Sequence, residues 1–218
     1  MTAPEVELRT AWHRLAGRGN DESFDALLAR LREPHRHYHT ATHVMWVLRH
    51  AEALLVEAAN PDLDGDAVRL AALWHDAVYD PAASDNEDAS ARLARDVAVQ
   101  LGWPSARADL VAALIESTAA ATEPTSAPGA QRGSIDEFGV LHDADLAILG
   151  SEPAAYQAYV NGIRREYSHV PDDAWRVGRS AVLRSFLAAD PLYRSPALAL
   201  RAPRARANLA AELATLDP

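Results

Sequence analysis

The chain contains no cysteine and no lysine. Without thiols there is no disulfide, thiolate zinc site, iron–sulfur cluster or cysteine nucleophile. Without a side-chain amine, Schiff-base chemistry, a lysine-anchored pyridoxal phosphate and a P-loop lysine are equally excluded. All 21 basic side chains are arginines. Aromatic residues are scarce at 6%, although 49% of the chain is hydrophobic and alanine supplies much of that fraction; this balance suits close-packed helices better than strands. No apolar run approaches the roughly 20 residues of a membrane span. The opening MTAPEVELRT has neither a basic nor an apolar leader segment, so a cytoplasmic protein with no membrane partner is expected. A formal charge of −10 disfavours a nucleic-acid polymer, whose binding needs a basic stripe. A small anionic partner remains compatible with local clusters of arginine.

What is present reads as helix after helix. At 218 residues one domain is expected, and no strand pair or hairpin signal interrupts the helical periodicity. Helical patterns are read over about 5–16, 20–32, 39–59, 66–78, a segment ending near 101, 105–118, 136–149, 153–168, 172–189 and 204–216, and the globule is expected to hold roughly nine helices. Gly17, Pro34, Pro61, Gly102 and Pro104 punctuate them. The expected fold is an all-α multi-helix globule whose chemistry-bearing core covers about 35–150, with helices of about 153–216 packed on it. The stretch 121–134 is rich in Pro, Gly and Ser and is expected to be a mobile loop beside the site.

Three tracts carry candidate chemistry. In PHRHYHTATH, His35, His37, His39 and His43 crowd the start of an apolar helix; His39 and His43 are four apart, which on a helix puts them on one face. A surface histidine cluster explains that pair as well as a ligand pair does. In LWHDA, His75 and Asp76 close an apolar helix. Helix neighbours diverge by about 100°, so they share a target most easily where the helix ends; an ordinary turn is the competing reading. In LHDADLAILG, Asp145 lies on the stripe of Leu141, Ala144, Ile148 and Leu149. A carboxylate there must be neutralised, paired with a cation such as an arginine, or bound to a metal. Asp143 falls on another face, free to be solvated.

His43, the His75-Asp76 doublet and the distant Asp145 resemble the H…HD…D signature of the HD superfamily of metal-dependent phosphohydrolases. RHYHTATHV, WHDAVYDP, DNE, LHDADLAILG, IRREY and RARANL extend the resemblance, over most of the chain, to a bacterial subfamily of predicted phosphohydrolases. It implies His43, His75, Asp76 and Asp145 as ligands of one divalent transition metal, with His39 a further ligand or a substrate contact. Two imidazoles and two carboxylates suit Mn²⁺, Fe²⁺, Co²⁺, Ni²⁺ or Zn²⁺. Such an ion acidifies water and offsets charge on a phosphoryl oxygen. No histidine falls between 77 and 141, which favours one metal over two.

Around this set, Asp80 and Glu87 are candidates for orienting water or moving a proton. Asp80 before Pro81 equally suits a turn, and Ser84-x-x-Glu87 equally suits a capping box. Arg36, Arg164, Arg165, Arg179 and Arg206 are candidates for holding an anion, and Tyr38 and Tyr167 for stacking on a base or simply packing. The expected activity is hydrolysis of a phosphate ester or anhydride in a small phosphorylated metabolite, a nucleotide by analogy with the superfamily. The alternatives are a metal-containing nucleotide-binding regulator that does not turn over, and an acidic helical interaction module with no ligand.

Overall fold

The computed structural model describes residues 1–120 and 135–216; the expected loop at 121–134 lies outside them. Among the described residues there is no strand. The all-α expectation holds. Among the described residues eleven α-helices occur: α1 (Ala3–Ala16), α2 (Asp21–Leu31), α3 (Ala41–Ala58), α4 (Gly65–Trp74), α5 (Asn86–Gln100), α6 (Ser105–Glu116), α7 (Glu137–Leu146), α8 (Pro153–Glu166), α9 (Asp172–Ala188), α10 (Pro196–Ala199) and α11 (Ala202–Leu216). The count exceeds nine partly because α10 is a single turn, started by the Ser195 hydroxyl accepting from Leu198 N. Four residues are too few to show a helical period. None of the described helices is long and apolar enough to cross a membrane.

Local chemistry sets the helix ends nearest the site. Thr40 caps α3 by accepting from Thr42 N, Asp64 caps α4 through Ala67 N, and Asp136 caps α7 through Gly139 N, each satisfying a donor that a helix start leaves unpaired. Helix α4 is buried on nearly every side, through Ala67, Val68, Leu70, Ala71, Ala72, Leu73 and Trp74. It packs against α3 and α6, while α7 packs along α3. The buried apolar side chains join into one cluster from Leu8 to Leu209, with Trp12 stacked on Phe24 at 6.0 Å and tilted against Trp74 at 5.0 Å. Helices α3, α4 and α7 therefore present fixed ends and faces to one another, and the candidate site lies where they meet.

Candidate metal centre

Helix α4 stops at Trp74, and His75 is its C-cap, its N–H bonded to Ala71 O at 2.8 Å. Asp76 follows in the turn. Leaving the helix there lets adjacent side chains aim at one point: His75 Nε2 and Asp76 Oδ2 are 3.0 Å apart. His43, on the buried face of α3, brings its Nε2 within 3.1 Å of His75 Nε2 and 3.2 Å of Asp76 Oδ2. Asp145 of α7 adds Oδ1 at 3.2 Å from His43 Nε2 and 3.7 Å from His75 Nε2. Ligands about 2.1 Å from a common ion stand about 3.0–3.4 Å apart; four of these spacings fall in that range and the fifth, His75 to Asp145 at 3.7 Å, is slightly longer.

The protonation pattern leaves a gap that a cation fills. His75 Nδ1 lies 3.0 Å from Ala72 O; a carbonyl only accepts, so Nδ1 carries a proton and Nε2 is the nitrogen that offers a lone pair to an ion when the ring is neutral. That lone pair faces His43 Nε2 and the Asp76 carboxylate. Asp76 Oδ2 is buried and has no hydrogen-bond partner. A buried anionic oxygen without a partner demands an explanation; His43, His75 and Asp145 form a cluster that could hold a metal ion, and an ion there, beside Asp76, would supply one. In the absence of an ion the proton does the same work less well. Burial opposes charging His43, but hydrogen bonding and charge from Asp145 and Asp76 outweigh it and push its pKa up to about 10. Burial likewise opposes charging His75, but Asp76 and Asp145 outweigh it and raise its pKa; burial favours neutral Asp76, yet His75 and His39 hold it well below the carboxylate range.

Residues 40–146 match the family model of the HD domain. The chain is an HD-domain protein. No curated protein and no solved structure gives a match to it. The HD domain thus opens at Thr40, the N-cap of α3, and closes at Leu146, the last residue of α7. It contains all four candidate ligands, but not the segment that leads into α3 nor anything of α8.

Both of those outside pieces complete the site. Glu166, at the end of α8, is buried, and its Oε1 accepts from the backbone N–H groups of His37, Tyr38 and His39 at 2.7, 2.7 and 3.0 Å. Its Oε2 accepts from His39 Nδ1 at 2.8 Å and from the Tyr79 hydroxyl at 3.0 Å. Burial favours the neutral acid, yet these donors, led by His39, hold Glu166 at about 2. His39 lies just ahead of the α3 N-cap rather than within the helix, so Glu166, and not helical phase, orients it. Its ring lies tilted at 4.0 Å against Tyr79 and meets His43 edge-on at 5.6 Å. Tyr38 packs at 4.7 Å against His43 and at 4.8 Å against Tyr159. Burial first, then Tyr159, Asp145 and Asp76, raise its pKa well above the phenol range, and it stays protonated beside the ligands.

Sequence reasoning missed Glu166 and Tyr79. The signal for Glu166 was present: Tyr156, Tyr159, Ile163 and Glu166 form the buried stripe of α8, the same pattern that singled out Asp145. Tyr79 offered no such signal, since it sits in an irregular turn.

Several expected roles need correction. Arg36 is not available to a substrate: its guanidinium is fully buried and donates to His39 O at 3.1 Å, Asp76 O at 2.7 Å, Ala77 O at 3.1 Å and Glu33 at 3.0 Å. It clamps the turn after α4 to the lead-in of α3. Arg179 is likewise spent inside, on Glu212 at 2.7 Å and the Tyr159 hydroxyl at 3.0 Å. Arg164 donates to Tyr167 O, Val170 O and Asp172 and ties the α8–α9 turn. Arg206 donates to Leu187 O and Ala189 O at the end of α9. Asp143 is not solvated but fully buried, accepting from the N–H groups of Arg194 and Ser195. Residues 193–195 cover the face that the sequence left open.

The acidic turn also differs. Asp80 is exposed, accepts from Ala82 N at 2.9 Å and makes no ion pair or hydrogen bond with the four ligands. The Ser84–Glu87 capping box does not form, because α5 starts at Asn86 with Asp85 as its N-cap, and the Asn86 side chain instead brackets the backbone of Asp80. Glu87 lies within electrostatic reach of Tyr167. Tyr167 packs against Trp175 at 5.6 Å.

Proposed function

We propose that this HD-domain protein is a metal-dependent phosphohydrolase acting on a small phosphorylated metabolite, with nucleotides the first class to test. The observation that carries the reading is the buried, unpartnered Asp76 Oδ2 facing Nε2 of His75, with His43 and Asp145 completing the ring. His43, His75, Asp76 and Asp145 would hold one divalent ion. When bound, that ion supplies acidified water and neutralises charge on a phosphoryl oxygen.

The protein's own groups do the rest. Glu166 fixes the proton of His39 on Nδ1, so His39 Nε2 is the atom that takes or returns a proton beside the ligands. Tyr38, protonated and packed on His43, excludes water from one side and offers a hydroxyl to an incoming anion. Asp76 and Asp145 retain side-chain exposures of 18% and 25%, while those of His43 and His75 are 4% and 2%. Solvent, and hence substrate, reaches the carboxylate side. Glu87 and Asp80 stay as candidates for ordering water at the rim, with Asp80 the weaker because its carboxylate already closes a turn.

The test joins metal analysis of the purified protein to a phosphate-release screen over nucleotides and sugar phosphates with Mn²⁺, Fe²⁺, Co²⁺, Ni²⁺ and Zn²⁺. We expect up to about one ion per chain, its loss in His75→Ala, and activity that a chelator abolishes. Metal-loaded protein that binds nucleotides but releases no phosphate from any substrate would leave a binding protein instead.

A further inference from the structure

The end of α2, the turn at 78–82 and the end of α8 enclose a cleft of about 620 Å³, a volume within the roughly 300–1,000 Å³ of small-molecule sites. Arg30, His37, Arg165 and His169 line it, and none of His43, His75, Asp76 or Asp145 does. We propose that this cleft is a second binding site, specific for a phosphate-bearing small molecule. Arg30 and Arg165 are its anion contacts, and His37 and His169 are supporting donors.

This cleft is set apart by which charges are already paired. The chain has 31 acidic side chains against 21 arginines, so arginines readily find partners. Arg9, Arg32, Arg95, Arg107 and Arg204 all pair with carboxylates. Among the described residues Arg30 and Arg165 pair with none, yet they share one cleft. A guanidinium left unpaired keeps its planar fork of donors, the geometry that grips phosphate through two oxygens at once.

The acids of the cleft are the reverse case. Glu33 is taken by Arg36 at 3.0 Å and lies 3.6 Å from His35. Glu166 is saturated by three backbone donors, His39 and Tyr79. Among these acids Asp80 alone is in no ion pair, and one of its oxygens accepts from Ala82 N. Two free cations therefore face one free anion, with imidazole donors beside them. The local field is positive inside a chain of formal charge −10, which concentrates anions at this spot. Tyr79 and Glu166 form the wall between the cleft and His39, so the two sites are neighbours but separate.

The probe is inorganic phosphate, titrated into protein stripped of metal with a chelator and followed through the histidine ring resonances by NMR. Saturable binding is expected, at least tenfold weaker in Arg30→Gln/Arg165→Gln and about threefold or more weaker in Arg165→Gln alone. The single variant guards against a folding defect, since Arg165 is exposed and anchors nothing. Asp145→Asn should bind phosphate as the wild type does. Absence of saturation in the wild type, unchanged affinity in the double variant, or loss in Asp145→Asn would each overturn the proposal. Because the probe meets metal-free protein, failure of the hydrolase reading does not alter this result.

Discussion

Asp143 and Asp145 stand two residues apart on α7 and serve opposite faces of it. Asp145 aims at His43 and His75, while Asp143 receives the backbone of 194–195. Asp145→Asn keeps shape but loses the anionic ligand, and metal content and activity should fall together by at least about tenfold. Asp143→Asn should keep its metal and lose about 1–3 kcal/mol of stability, because a carboxamide nitrogen would face buried donors; metal analysis and thermal melts read the two effects separately. Retained stability with lost metal in Asp143→Asn would reverse the assignment. His43 makes a further expectation at this scale. Its pKa of about 10 without metal means that it holds a proton at pH 7 which an ion must displace. Metal uptake should release about one proton per ion and weaken as pH falls, measurable by calorimetry in buffers of differing ionisation enthalpy. At this scale Asp145 was legible from its place on an apolar stripe. Arg36 and Arg179 were not, because formal charge does not say where a guanidinium spends its donors.

The decisive element is α8, which lies outside the HD match yet supports the site. Gly162 and Glu166 are four apart and share a face. A Cβ on Gly162 would stand 3.0 Å from Tyr38 Cβ and 3.4 Å from His37 O, so the missing side chain lets the 37–39 backbone approach closely enough for Glu166 to collect its three N–H groups. Gly162→Ala should therefore cost about 1–3 kcal/mol by overpacking, despite alanine's better helix propensity. A melt showing stabilisation would refute the close approach. His39 is instructive at the same scale. Its spacing from His43 suggested a shared helical face, but α3 starts at Ala41, and a carboxylate 127 residues further along the chain sets its direction. No local period contains that information.

Across the whole molecule, the contacts between 37–39 and Glu166 couple the chain's first part to its later helices, and pH tests the coupling. Glu166 falls from the usual 4.5 to about 2 on folding. A depressed acid contributes stability above its unfolded pKa and loses it as pH drops toward the folded one. On the order of 3 kcal/mol should thus disappear between about pH 4.5 and 2, and acid melts of Glu166→Gln should lack that component. Bound metal adds to the folded state as well, by about 2.7 kcal/mol when present at a hundredfold its dissociation constant, so chelation should lower Tm by several degrees.

The sequence by itself determined the helical class, through periodicity and alanine-rich composition, and the four candidate ligands, through a buried carboxylate and a motif whose spacing survives any loop. It also excluded thiolate and lysine chemistry outright. Tertiary structure alone decided which charges are available: Arg36 and Arg179 turn inward, Asp143 is covered, Glu166 becomes the hub of the His39 network, and Arg30 and Arg165 are left unpaired in a common cleft. The reason is physical. Periodicity reports which face of an element is buried, because burial repeats with the helix turn. Pairing of polar groups depends on distances between elements far apart in the chain, which only packing sets.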